Sequence, residues 1–134
     1  MVTRKRVSSG SPFEAKVGYS RAVRVGDLVF VAGTTAMQDG EPVFIGDAGG
    51  QTRHIIGIML KALAGAGATA NDVVRYRVYL TNIADWPAVL EEMTQAFAPA
   101  APAATLVEVK GLINPASLVE IELDAYVGIT HEAG

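Results

Sequence analysis

The sequence contains no cysteine, which removes disulfide frameworks, thiolate metal sites and cysteine nucleophiles together. Histidine is nearly as scarce. His54 falls within a helical pattern and His131 in a tail expected to fray; the two have no short ligand spacing, and no carboxylate stands with them in a recognisable triad. A metal site and a paired-histidine ribonuclease centre both lack support. Positive charge is not in excess: 11 Lys and Arg against 14 Asp and Glu leave a net charge of −3, so the phosphate neutralisation that drives nucleic-acid binding has no source. No apolar run approaches the ~20 residues of a membrane span. The basic trio Arg4-Lys5-Arg6 leads into Val-Ser-Ser-Gly and not into the apolar centre of a secretory signal. The expectation is a cytoplasmic protein with neither a membrane nor a nucleic acid as its main partner.

Apolar residues, by contrast, make up 50% of the 134 positions. That suits one compact domain spanning residues 1–134, with no linker, repeat or low-complexity tract. Residues 21–25, a Gly26-Asp27 turn and residues 28–33 read as a β-hairpin rich in β-branched residues. A helix is predicted from about Asp47, whose carboxylate caps it, because Ile55, Ile56, Met59, Leu60 and Leu63 recur at helical spacing before Gly65 and Gly67. Val73 to Leu80 alternates, with Val74, Tyr76, Val78 and Leu80 assigned to one face and Arg75, Arg77 and Tyr79 to the other. A second helix begins near Asp85, with Trp86, Val89, Leu90, Met93 and Phe97 as its apolar stripe, and Pro99 and Pro102 stop it. Two strands follow, joined by a turn around Asn114-Pro115. In the last, Val119, Ile121, Leu123, Ala125 and Val127 oppose Glu120, Glu122, Asp124 and Tyr126. This order fits an α+β fold, one sheet with both helices on a single face. The other face is either solvated or an interface, and pattern alone admits both.

Several segments together resemble a known family. Gly18-Tyr19-Ser20-Arg21-Ala22-Val23-Arg24-Val25-Gly26, Leu28 to Thr34, Gln51-Thr52-Arg53, Asp72 to Thr81 and Val119-Glu120-Ile121 stand in the order and spacing of the RidA (YjgF) family. So does Pro102-Ala103-Ala104-Thr105-Leu106-Val107-Glu108-Val109, with one departure. Where the deaminase members carry arginine after the Pro-Ala pair, this chain has Ala104. Leu90 likewise stands where an asparagine is common.

The resemblance implies a chorismate-mutase-like fold, one mixed β-sheet with two helices on one face, assembled as a homotrimer with three clefts between neighbouring subunits. It also implies hydrolysis of enamines and imines to a keto acid and ammonia without cofactor or metal. An arginine would bind the substrate carboxylate and a glutamate would activate water. By the same resemblance Glu120 matches that glutamate, Tyr19, Gly33 and Thr34 match pocket positions, and Thr105 flanks the substituted Ala104.

Each assignment has a structural counterpart. Glu120 also reads as one of three acids on an open strand face, Tyr19 as a cap on the sheet edge, and Thr105 as a β-branched strand residue. Arg75, Arg77, Arg21 and Arg24 are the cations that would stand in for the missing arginine, against simple cross-strand pairing. The Gly49-Gly50 pair lacks the other glycines and the lysine of a phosphate loop, and there is no Gly-x-Ser-x-Gly frame. The rival readings are a metabolite-binding trimer without catalysis and an endoribonuclease, an activity ascribed to some family members.

Overall fold

The computed structural model describes residues 1–130 and 132; His131 lies outside them. Among the described residues the main sheet has six strands: β1 (Arg4–Val7), β2 (Ala22–Val25), β3 (Leu28–Thr34), β6 (Val73–Leu80), β7 (Ala103–Glu108) and β8 (Val119–Tyr126). Their spatial order is β1-β2-β3-β8-β6-β7. A two-stranded ribbon, β4 (Met37–Gln38) with β5 (Glu41–Pro42), stands apart. The helices are α1 (Pro12–Val17), α2 (Ala48–Gly65) and α3 (Trp86–Phe97). No helix among the described residues is long and apolar enough to cross a membrane.

The hairpin forms as the Gly26-Asp27 signal predicts, with Ala22 opposite Val31 and Val25 opposite Leu28. β8 then takes the centre of the sheet, antiparallel to β3 on one side and to β6 on the other. Its alternation is complete: Val119, Ile121, Leu123 and Ala125 are fully buried, while the acids point the other way. From α2, Ile55, Ile56, Met59 and Leu63 pack onto this face, and Val89, Met93 and Phe97 from α3 join the same cluster. Both long helices therefore cover one side of the sheet. Each large apolar side chain buried there contributes about 1.5–3 kcal/mol relative to exposure. α2 starts where Asp47 Oδ1 accepts from Gly50 N at 2.8 Å. Gly50 suits this cap, since a Cβ there would lie 2.8 Å from both the Asp47 carboxyl carbon and a Phe44 ring carbon. The Gly49-Gly50 pair thus serves a helix start.

Several expectations are corrected. Val74 lies on the exposed side, not the buried one, because the β6–β8 register shifts between Val73 and Arg75 and places Val73 inward instead. Leu60 and Trp86 are exposed at the margins of their helical stripes, at 37% and 51%. Leu90 is only half-buried, packed against the core cluster. The last two strands are not neighbours. β7 pairs in parallel with β6, so α3 serves as the crossover a parallel pair requires, and β6 separates β7 from β8. β1, α1 and the β4–β5 ribbon are not among the elements that the sequence pattern predicts.

One buried amide joins the helical layer to the loop that feeds β8. Gln51, with no exposed surface, donates to Ala116 O at 2.9 Å and Phe44 O at 3.3 Å and accepts from Leu118 N at 2.8 Å. Gln51→Leu keeps the bulk and strands those backbone groups. It should lower the unfolding free energy by about 2–4 kcal/mol, read as a shifted urea midpoint at constant slope. A loss within error would mean that the amide is dispensable.

Candidate functional site

Glu120 leaves β8 on the face away from α2 and α3, and the structure sets it over Gly33. A Cβ at Gly33 would sit 2.7 Å from Glu120 Oε2, so the approach of the carboxylate depends on the missing side chain. The register between β3 and β8 shifts between Val31 and Thr34, bringing Gly33 to this position. Arg21, just before β2, donates from Nη2 to Gly33 O at 2.8 Å, and its guanidinium carbon lies 5.4 Å from the centre of the Tyr19 ring. These four residues share a cleft of about 1070 Å³. Its walls come from Ser8 to Phe13, from Thr35 and the β4–β5 ribbon, from Lys61 and Ala62 of α2, and from Ile113 and Asn114 ahead of β8.

The electrostatics follow from this placement. Burial raises the Glu120 pKa above the ordinary carboxylate value; the Arg21 charge pulls against that rise and the nearby Glu122 adds to it. Among the described residues Glu120 belongs to no ion pair. Further along the same face Tyr79 donates to Glu122, and that hydrogen bond is the main reason the tyrosine pKa is raised. A partly desolvated carboxyl beside a cation, in a cleft with apolar and polar walls, has the attributes of a group that gives and takes protons.

The structure thus brings together Tyr19, Gly33 and Glu120, and leaves three other sequence candidates elsewhere. Thr34 is buried, its hydroxyl donating to Ala32 O at 2.8 Å, while the adjacent Thr35 lines the cleft. Ala104 and Thr105 are exposed on edge strand β7, separated from β8 by β6, and neither lines the cleft of its own chain. The Thr105 hydroxyl accepts from Arg75 at 3.2 Å. Among the four arginines considered as substitutes, Arg77 pairs with Asp124 at 3.4 Å. Arg24 bonds Ala66 O at the end of α2 and pairs with Asp27. Arg21 alone of the four lines the cleft. His54 Nε2 contacts Met37 O at 2.9 Å, which accounts for its polar atom.

Sequence reasoning overlooked Glu14, which is buried behind Arg21. A signal for it existed: Ser11-Pro12-Phe13-Glu14 has the form of a capping box with proline in the first helical turn. The structure uses half of that motif. Ser11 Oγ accepts from Phe13 N at 3.3 Å, whereas the Glu14 carboxylate turns back to Ser8 and Ser9. The Ile113 and Asn114 wall carried no such signal.

With this geometry, known proteins give a consistent comparison. The family model described as Endoribonuclease L-PSP matches residues 10–127. An uncharacterized protein of Streptomyces coelicolor is 40% identical over 124 residues, 92% of each chain. The 3-aminoacrylate deaminase RutC of Acinetobacter baylyi is 33% identical over 110 residues, 81% of this chain and 86% of that one. The crystal structure of Rv2704 from Mycobacterium tuberculosis, a member of the YjgF/YER057c/UK114 family, superposes with a TM-score of 0.85 at 52% identity, covering 93% of this chain and all of the other. The chain belongs to the RidA (YjgF/YER057c/UK114) family and has its chorismate-mutase-like fold.

Proposed function

We propose that this protein is a cytoplasmic RidA-like homotrimer whose intersubunit clefts take a small metabolite and hydrolyse its enamine or imine, with Ala104 reducing or redirecting the chemistry. The observation that carries this reading is the environment of Glu120, half-buried in the cleft, held over Gly33 and with its pKa raised by desolvation. The deaminase activity in the name of the Acinetobacter relative supports the same reaction class.

In the proposed cycle the enamine first tautomerises to the imine. The Glu120 carboxylate accepts a proton from water as the water oxygen bonds to the imine carbon, then returns that proton to nitrogen. In the carbinolamine so formed the same carboxylate takes the hydroxyl proton and passes it to the amine as C=O forms and the C–N bond breaks, so that one ammonia leaves for each water consumed. A carboxyl with its pKa moved toward neutrality serves both proton transfers better than an ordinary one. Tyr19 and the backbone around Gly33 are assigned to substrate binding. Ala104 and Thr105 reach a cleft only when another copy supplies β7, and the helix-free face, with Leu28, Phe30 and Tyr126 exposed among its charges, offers the surface for that assembly. Ala104 gives no donor to a substrate carboxylate. Leaving such a group unpaired in a closed cleft costs about 3–5 kcal/mol, or on the order of a thousandfold in binding.

A metabolite-binding trimer without catalysis is the second reading, and Ala104 is the residue that favours it. Endoribonuclease activity, which gives the matched family model its name, has less behind it because the net charge is −3.

Three outcomes are expected. Light scattering should return three times the 14.0 kDa chain mass; a stable monomer would remove the intersubunit cleft. Because the folded-state pKa of Glu120 is raised, the native chain holds its proton more tightly than the unfolded chain. Its contribution therefore favours folding in acid and is lost as pH rises through the window between the unfolded and folded values. Glu120→Gln should consequently raise Tm at neutral pH, with the gain disappearing in acid, while abolishing turnover; an equal gain at both pH values would contradict this account. Finally, enamines generated in situ from serine should be hydrolysed slowly by the natural chain. Ala104→Arg should raise the rate by an order of magnitude or more, roughly the worth of one charge-assisted contact, and Glu120→Ala in that background should cancel the gain. No gain from arginine in a correctly assembled trimer would favour the binding reading.

A further inference from the structure

The guanidinium of Arg21, which lines the cleft with Glu120, has a second carboxylate, Glu14, buried behind it. Glu14, on α1, is buried, and its oxygens accept from Ser8 Oγ at 3.0 Å, from Ser9 N at 3.2 Å and from Ser9 Oγ. Its Oε2 lies 4.0 Å from Arg21 Nη1, an electrostatic contact longer than a hydrogen bond. On its other side Arg21 bonds the carbonyl of Gly33, the residue over which the Glu120 carboxylate lies, and its buried Nε has no partner among the described residues. A guanidinium with donors to spare beside a carboxylate would ordinarily close into a forked pair. Here it bonds a backbone carbonyl instead, while the second carboxylate is anchored behind it by three N-terminal donors. Those donors belong to the exposed segment Ser8–Gly10, itself part of the cleft wall.

We propose that Glu14 is a positioning residue for Glu120: pinned by Ser8 and Ser9, it draws the Arg21 guanidinium toward α1 and off Glu120, so that the N-terminal strap and the proton affinity of the cleft carboxyl are linked. This rests on the reading of Glu120 as the working group of the cleft. The remaining charged or titratable groups around Glu120 do not replace Glu14 in this arrangement. Glu122, two residues along β8, accepts from Tyr79, whose strand position on β6 is in register with Glu120. Tyr19 lies over Arg21. Lys61 on α2 and Asp39 between β4 and β5 line the cleft, and neither pairs with Glu120.

The linkage has a sign. Neutralising Glu14 leaves Glu120 as the only carboxylate competing for Arg21, so Arg21 turns to it and stabilises its ionised form. Removing the two serine hydroxyls does the opposite: Glu14 is left short of donors, closes on Arg21 and pulls it further from Glu120. A residue that merely held α1 in place would give no such pair of opposite shifts.

The test is a pH titration of the Glu120 side-chain carboxyl by carbon-13 NMR in the intact chain without ligand, the signal being assigned by its loss in Glu120→Gln. In Glu14→Gln the midpoint should move to lower pH; in the Ser8→Ala/Ser9→Ala double variant it should move to higher pH. A midpoint in Glu14→Gln that is unchanged or higher overturns the proposal. Should that variant fail to fold, the double-serine variant decides alone, and an unchanged or lower midpoint overturns it. If the natural chain hydrolyses imines, the acid limb of kcat/KM should move with the NMR midpoint in each variant. Shifted midpoints without any hydrolysis sink the functional reading and leave the linkage standing, whereas hydrolysis with unshifted midpoints sinks the linkage alone.

Discussion

Strand β8 is hydrogen-bonded on both sides, to β3 and to β6, and the rest of the molecule depends on that double pairing. Strand geometry sends successive side chains to opposite faces. Fixing β8 between two neighbours therefore commits Val119, Ile121, Leu123 and Ala125 to the core and Glu120, Glu122 and Asp124 to the other side in one step. A slip of one residue would bury three acids and expose four apolar groups, a penalty large enough to hold the register firmly. Gln51 reinforces it from outside the sheet by fixing the chain at Ala116 and Leu118, immediately before β8 begins.

The cleft arises where this regular pattern is interrupted. The register shift in β3 brings Gly33 against Glu120, and the absence of a side chain there lets the carboxylate settle where solvent is partly excluded. Arg21 and Glu14 are buried nearby, each satisfied in part by backbone or hydroxyl groups, so charge is concentrated in a small volume without full neutralisation. Such an arrangement costs stability, and proteins tolerate the cost where the group is used.

Local rules carried the sequence reading furthest. The Gly26-Asp27 turn and the Asp47 cap were legible because a few adjacent residues determine each, and the period of β8 because its two faces differ so sharply. What depends on partners distant in sequence was not legible. The bulge that turns Val74 outward is a property of the β6–β8 pair, not of β6 alone. Arg4-Lys5-Arg6 has no apolar alternation, yet pairs with β2 as a strand. The candidate site divided in the same way: family likeness pointed to Tyr19, Gly33 and Glu120, which line one cleft, but Glu14 needed the fold to show that its carboxylate reaches back to Ser8 and Ser9 and forward toward Arg21.

The two outer strands of the sheet differ in chemistry. β1 carries the consecutive cations Arg4, Lys5 and Arg6 along one rim, while β7 begins Ala103-Ala104-Thr105-Leu106-Val107 and has no charge before Glu108. Lysine and arginine on an outer strand discourage an incoming strand by requiring desolvation and by repelling their own kind. Only one rim is guarded in this way. Two copies therefore cannot meet through their β1 rims without opposing six like charges, and head-to-tail growth from the bare rim would have to desolvate a cationic rim at every step. The basic run near the N-terminus thus works against strand-by-strand growth from that rim.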